Sequence, residues 1–197
     1  MARPRAFDID AATDRALLVF WQKGYEGATL DDLTAAMEIN RPSLYAAFGN
    51  KEGLFQRALE RYVAGPGAGA TAALEEVSAR AAVRRLMRFY ADAAVHDERP
   101  RGCLLVQGAL VCSDDNKAVR ATLTDMRHHA EAALVTRLER AKREGELPAD
   151  ARPADLARFV WTICHGLAVQ AAGGATCEQM RRVVQIAMRA WPPAPDA

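Results

Sequence analysis

The sequence predicts an all-α protein of two parts, a compact unit of short helices followed by a larger helical body. Apolar residues recur at helical spacing through most of the chain, and no segment keeps a convincing period of two. Proline and glycine sit mainly at punctuation points. One Gly-rich stretch, AGPGAGAT at residues 64–71, separates short helices from longer, Ala-rich ones. The expected parts are therefore residues 1–63 and 64–197, with about nine helices in all. Half of the 197 residues are hydrophobic and 26% are charged, which suits a folded core.

The elements follow in order. Asp8 can cap a first helix from Ile9 to Lys23, whose Ile9, Ala12, Ala16 and Phe20 fall on one face, and Gly24 and Gly27 end it. Thr29 with Asp32 forms a capping-box pattern and opens a second helix to Glu38. Asn40 can cap a third helix over 41–48, where Pro42 is tolerated because first-turn amides lack intrahelical partners, and Gly49 stops it. Asn50 caps a fourth helix to Val63. Beyond the Gly-rich stretch, helices are expected over 72–97, 103–113, 116–145, 154–172 and 177–190, the last opened by the box Thr176–Gln179. The longest uncharged run, Phe159–Cys177, carries His165, Gln170 and Gly173–Gly174, so it reads as a buried helix and turn rather than a membrane span.

The helices at 29–38 and 41–48, joined by a tight turn, have the dimensions of a helix-turn-helix. Winding residues 41–48 at about 100° per residue puts Leu44 and Phe48 on one side, to pack on Phe20, Leu30 and Leu33. Pro42 and Ala46 then point away, flanked by Ser43 and Tyr45, and small outward side chains let a helix approach the floor of the DNA major groove. Lys51 sits in the first turn of the fourth helix, where the macrodipole already carries roughly half a positive charge; a phosphate there would reconcile the two. Thr29 offers a hydroxyl at another helix start, and Arg3 and Arg5 form an arm able to reach the minor groove. Residues 1–63 hold eight Lys/Arg against nine Asp/Glu, so placement has to do what net charge does not. From Ile39 to Lys51 there are two bases and no acid; a merely solvated edge is the bland alternative.

The segment GYEGATLDDLTAAMEINRPSLYAAFGNKEGLF, residues 24–55, resembles the DNA-binding domain of the TetR family of bacterial regulators. The pattern is carried by Gly24–Tyr25, Thr29, Ile39, Leu44–Tyr45, Phe48, Lys51–Glu52 and Leu54. The resemblance implies that Thr29, Tyr45 and Lys51 hold phosphates and that Arg41, Pro42, Ser43 and Ala46 lie in the major groove. Glu38 stands where the family usually has a turn glycine, so a positive φ is not required there, and Ala47 removes one usual contact. It further implies a homodimer joined through the last two helices, on a near-palindromic operator in double-stranded DNA. Leu156, Val160, Ile163 and Leu167 form one candidate interface stripe, and Val183, Ile186 and Ala187 another.

The middle helices are expected to enclose a pocket for a small-molecule effector, with Phe89, Tyr90, Leu105, Gln107, Met126, Trp161 and His165 as candidates. The four cysteines lack CxxC spacing and read as free thiols in a reducing cytoplasm. Cys103, near Arg99 and Arg101, and Cys177, after a cap, sit where a thiol pKa falls, which makes Cys103 a candidate redox or electrophile sensor. Cys112 and Cys164 read as core. No catalytic motif appears, His128 and His129 splay apart on a helix, and SDDN at 113–116 lacks a calcium loop's glycine. Neither cofactor nor metal is expected. The sequence thus points to a cytoplasmic, ligand-responsive DNA-binding repressor, with a thiol sensor on the same fold, or a helical interaction protein without DNA binding, as alternatives.

Overall fold

The Asp8 carboxylate accepts the backbone N–H groups of Asp10 (2.8 Å) and Ala11 (3.2 Å), and this cap starts α1 (Ile9–Gly27). The computed structural model describes residues 7–92, 99–110 and 114–192; Arg3, Arg5 and Cys112 lie outside them. Gly24, at φ 71° and ψ 176°, kinks α1 without ending it, so the helix runs past Lys23 by one more turn. The kink lets Tyr25 return to the core, where its ring centroid lies 5.0 Å from Phe55.

Three further side-chain caps follow. Thr29 and Asp32 form the expected box and open α2 (Leu30–Met37). Asn40 accepts from Ser43 N–H at 2.9 Å and opens α3 (Arg41–Phe48). Asn50 accepts from Gly53 N–H at 2.8 Å and opens α4 (Lys51–Ala64). Gly53 is required by close approach, because a Cβ there would lie 2.3 Å from the Phe48 carbonyl oxygen. α1 packs on α2 and α4, and Phe20, Leu33, Leu44, Leu54 and Phe55 fill the space between them.

The turn between α2 and α3 departs from expectation. Glu38 is left-handed, at φ 56° and ψ 40°, so the turn uses a positive φ even without glycine. The reversal requires it: Glu38 N–H donates to Ala35 C=O (3.2 Å) and Ile39 N–H to Thr34 C=O (3.1 Å), a pairing that ends a helix through a left-handed residue. Arg15 holds the Glu38 carboxylate at 2.8 Å.

The body also differs from the sequence reading at its start. The Gly-rich stretch is only partly a linker, because α5 (Ala68–Ala72) and a 3-10 turn (Ala73–Glu75) form within and after it. The long helix expected from residue 72 begins instead at α6 (Ala79–Asp92). Glu76 is extended at ψ 149°, and Ser78 Oγ accepts from Ala81 N–H at 3.2 Å as a local cap. The break is fixed from a distance. Arg137 donates to the carbonyls of Glu76 (3.2 Å) and Val77 (3.5 Å), and Glu146 accepts from Ala79 N–H. Then come α7 (Leu104–Leu110), a 3-10 turn (Asp114–Asn116), α8 (Lys117–Arg143), α9 (Pro153–Ala172) and α10 (Cys177–Arg189). α9 packs on α6 and α8, α10 covers α6, and α7 bridges α1 and α8. No strand occurs among the described residues, and no described helix is long and apolar enough to cross a membrane.

Candidate nucleic-acid interface and effector cavity

α3 is held by one face and offers the other. Leu44 and Phe48 are buried, while Arg41, Pro42, Tyr45 and Ala46 are exposed and Ser43 is half-buried. Arg41 is not free in this state: its guanidinium meets Asp31 of α2 at 2.7 Å. Both side chains are more than half exposed, at 55% and 81%, so the pair contributes little and can be given up for another partner at small loss. The Thr29 hydroxyl accepts from Asp32 N–H and donates to the Asp32 carboxylate. Lys23 above all, then Thr29, hold that carboxyl down at about 2.

Lys51 does not stand alone at the start of α4. Its ammonium lies 4.5 Å from the centroid of the Tyr25 ring, a cation–π contact that offsets the adverse helix dipole. Partial burial pushes its pKa down, and Glu26 pulls it back up. The lysine therefore has a structural reason to be there besides any anion.

A cavity of about 450 Å³ lies between α1, α4 and α6, with Trp21, Tyr62, Phe89, Tyr90, Arg88 and Cys103 in its wall. Of the residues expected to bind an effector, Phe89 and Tyr90 line it. Trp161 stands behind Tyr90, with ring centroids 5.9 Å apart, and His165 lies beyond Trp161. Burial and Arg127 lower the His165 pKa. Gln107 turns instead to the Arg101 carbonyl at 3.1 Å, beside a neighbouring hollow. Met126 faces an outer groove between α4 and α8, and neither it nor Leu105 reaches the cavity. Trp21 and Tyr62 were missed because each reads as core of the N-terminal unit. The available signal was the adjacent pair Phe20–Trp21, since neighbouring helix residues point about 100° apart and two large aromatics there call for a broad packing surface.

Cys103 is buried just before α7, and the Tyr62 hydroxyl donates to its sulfur at 3.3 Å. Cys177 contradicts expectation: burial first, then a hydrogen bond to Asp92, pushes its thiol pKa up rather than down. Cys164 is core as expected, and burial raises its thiol too.

The expected interface stripes need correction in phase. Val160, Leu167 and Ala187 are buried within the chain itself, packed on its core, although Leu167 also borders a surface hollow with Ile163 and Val183. Leu156 and Ile163 are half-buried, while Val183 and Ile186 are exposed at 43% and 64%. The outward face of α9 runs through Phe159, Ile163, Gly166 and Gln170, beside Val183 of α10. The whole stripe is turned because α9 already spends its most apolar face on α6 and α8.

Similarity to known proteins follows the same division. Residues 12–58 match the family of bacterial regulatory proteins of the tetR type, and residues 79–190 match a tetracyclin repressor-like C-terminal domain. The HTH-type transcriptional repressor ComR of Escherichia coli (strain K12) is 34% identical over 192 residues, covering 96% of this chain and 91% of ComR. The HTH-type transcriptional repressor BdcR of the same strain is 30% identical over 181 residues, covering 90% of this chain and 86% of BdcR. Among solved structures, a cysteine mutant of the TetR family regulator CifR, complexed with 26-base-pair operator DNA, matches at a TM-score of 0.92 and 46% identity over 96% of this chain and 100% of CifR. Two matched family domains and near full-length relatives lead to one conclusion: the chain belongs to the TetR family of bacterial transcriptional regulators.

Proposed function

We infer that the chain is a sequence-specific, non-enzymatic DNA-binding repressor, a cytoplasmic homodimer that a small-molecule effector releases from its operator. The observation that carries this reading is α3, fixed through Leu44 and Phe48 with Arg41, Pro42, Tyr45 and Ala46 left outward. In the complex, Pro42 and Ala46 contact thymine methyls, and Arg41 and Ser43 read polar base edges. Thr29, Tyr45 and Lys51 hold phosphates, and Arg3 and Arg5 extend toward the minor groove. CifR, a relative of similar length, is seen on operator DNA, which supports the same geometry here.

Residues 1–63 serve as reader and 64–197 as sensor and dimer body. α4 connects them, with Tyr62 at its end in the cavity wall and Leu54 and Phe55 at its start in the reader core. A ligand that displaces Tyr62 therefore moves the reader, and the two recognition helices lose their spacing on successive major grooves. The test is retention on the duplex upstream of the chain's own gene. Wild type is expected to bind with a steep salt dependence, and Ala46→Glu to lose operator binding while keeping its helical content. Equal binding by both variants, or no binding of DNA at all, overturns the reading in favour of a helical interaction protein.

One observation favours a second sensing chemistry on the same fold. The Cys103 sulfur borders the cavity and accepts the Tyr62 hydroxyl, so its modification also reaches α4. Loss of operator release by an oxidant or alkylating agent in Cys103→Ser, with release retained in Cys177→Ser, identifies that route.

A further inference from the structure

We propose that the cavity between α1, α4 and α6 is a site for a small organic anion, an aromatic carboxylate in class, held by Arg88 and Arg99 against an aromatic wall. Its volume of about 450 Å³ suits a molecule of roughly ten to twenty non-hydrogen atoms. Its apolar wall is aromatic: Trp21 meets Tyr62 edge-on at 4.9 Å, and Phe89 meets Tyr90 edge-on at 5.4 Å. A flat ring among these four gains offset and edge contacts that an aliphatic chain does not.

Charge specifies the polar end. Arg85, in the same wall, is engaged by Glu76, and Asp92 is taken by Arg181 at 2.8 Å and by the Cys177 thiol at 3.3 Å. Arg88 and Arg99 remain, and neither makes an ion pair or hydrogen bond among the described residues. The wall therefore combines one neutralised acid with two uncommitted guanidiniums, a balance that selects an anion over a neutral or cationic ligand. The site itself is independent of the repressor reading; only its coupling to DNA rests on that reading.

Calorimetric titration of the full chain with 3-phenylpropionate and with its neutral counterpart 3-phenylpropionamide tests the site. Saturable binding of the acid is expected, about tenfold or more tighter than the amide. Arg88→Gln combined with Arg99→Gln, both surface changes that leave the core intact, should bring the acid down to the amide. The indole N–H resonance of Trp21, assigned through Trp21→Phe, should shift on acid binding; diffuse surface attraction would not move it. Equal affinity for acid and amide, no saturable binding of either, or full acid binding in the double variant overturns the proposal. Operator release is measured separately, so a failed DNA assay bears on the repressor reading and leaves the site to be judged by the titration.

Discussion

At the residue scale, Glu38 carries a conformation that its side chain resists. A left-handed residue with a Cβ is disfavoured by about 1–2 kcal/mol, and the exposed pair with Arg15 returns only a few tenths of that. Glu38→Gly should therefore stabilise the fold by roughly 0.5–1 kcal/mol, after the greater freedom of glycine in the unfolded chain is counted. A higher urea midpoint at unchanged m-value is the expected signature. The residue type concealed this conformation, because Glu is an ordinary helix former; the turn glycine that the family usually has at this position was the signal, and the left-handed turn is imposed by the return from α2 to α3. Asp31 poses a different question. It occupies the Arg41 guanidinium and places an anion beside the proposed phosphate path. Asp31→Ala should raise operator affinity about threefold to tenfold at low salt, with the gain shrinking as salt screens the surface. Unchanged affinity at every ionic strength would remove Arg41 from the readout.

At the element scale, the helices divide into those set by their own sequence and those set by contacts. α1 through α4 were legible because each begins on a side-chain cap two or three residues from the amide it serves: Asp8, Thr29, Asn40 and Asn50. The start of α6 was not, because its break is held by residues some sixty positions away. Arg137 is nearly buried there and pairs with Glu146 at 3.5 Å, while two of its guanidinium nitrogens find no partner. Removing the acid strands that charge and the Ala79 amide together. Glu146→Ala should destabilise by about 3 kcal/mol, whereas Arg140→Ala, which breaks an exposed pair with Glu144, should stay within about 0.5 kcal/mol. Chemical denaturation of the two variants distinguishes them, and a small effect of Glu146→Ala would mean that solvent reaches Arg137. The cavity was half legible for the same reason. Phe89 and Tyr90 lie on a helix whose inward face can be read from its period, but Trp21 and Tyr62 enter from elements that the sequence assigns to another core.

At the scale of the whole molecule, the reader is useful only if two copies are held at a fixed separation, so the dimer face is part of the DNA-binding device. α9 buries Val160, Trp161, Cys164, Leu167 and Ala171 against its own chain and leaves Phe159, Ile163 and Gly166 toward the outside. α10 repeats the division, with Val184, Ala187 and Met188 inward and Val183 and Ile186 outward. An Ile left 64% exposed next to an exposed Val and a half-exposed Phe is the composition of an interface core. The two faces predict opposite failures for the same kind of change. Ile186→Glu introduces a charge where the single chain is open, so the fold should survive while the dimer does not. Light scattering should then give the 21.4 kDa chain mass, and operator affinity should fall about a hundredfold or more as the second half-site loses its tether. Val160→Glu places the same charge at a fully enclosed position and should prevent folding. A folded, dimeric Ile186→Glu would move the interface off α10, and a folded Val160→Glu would mean that the inward phase of α9 is wrong.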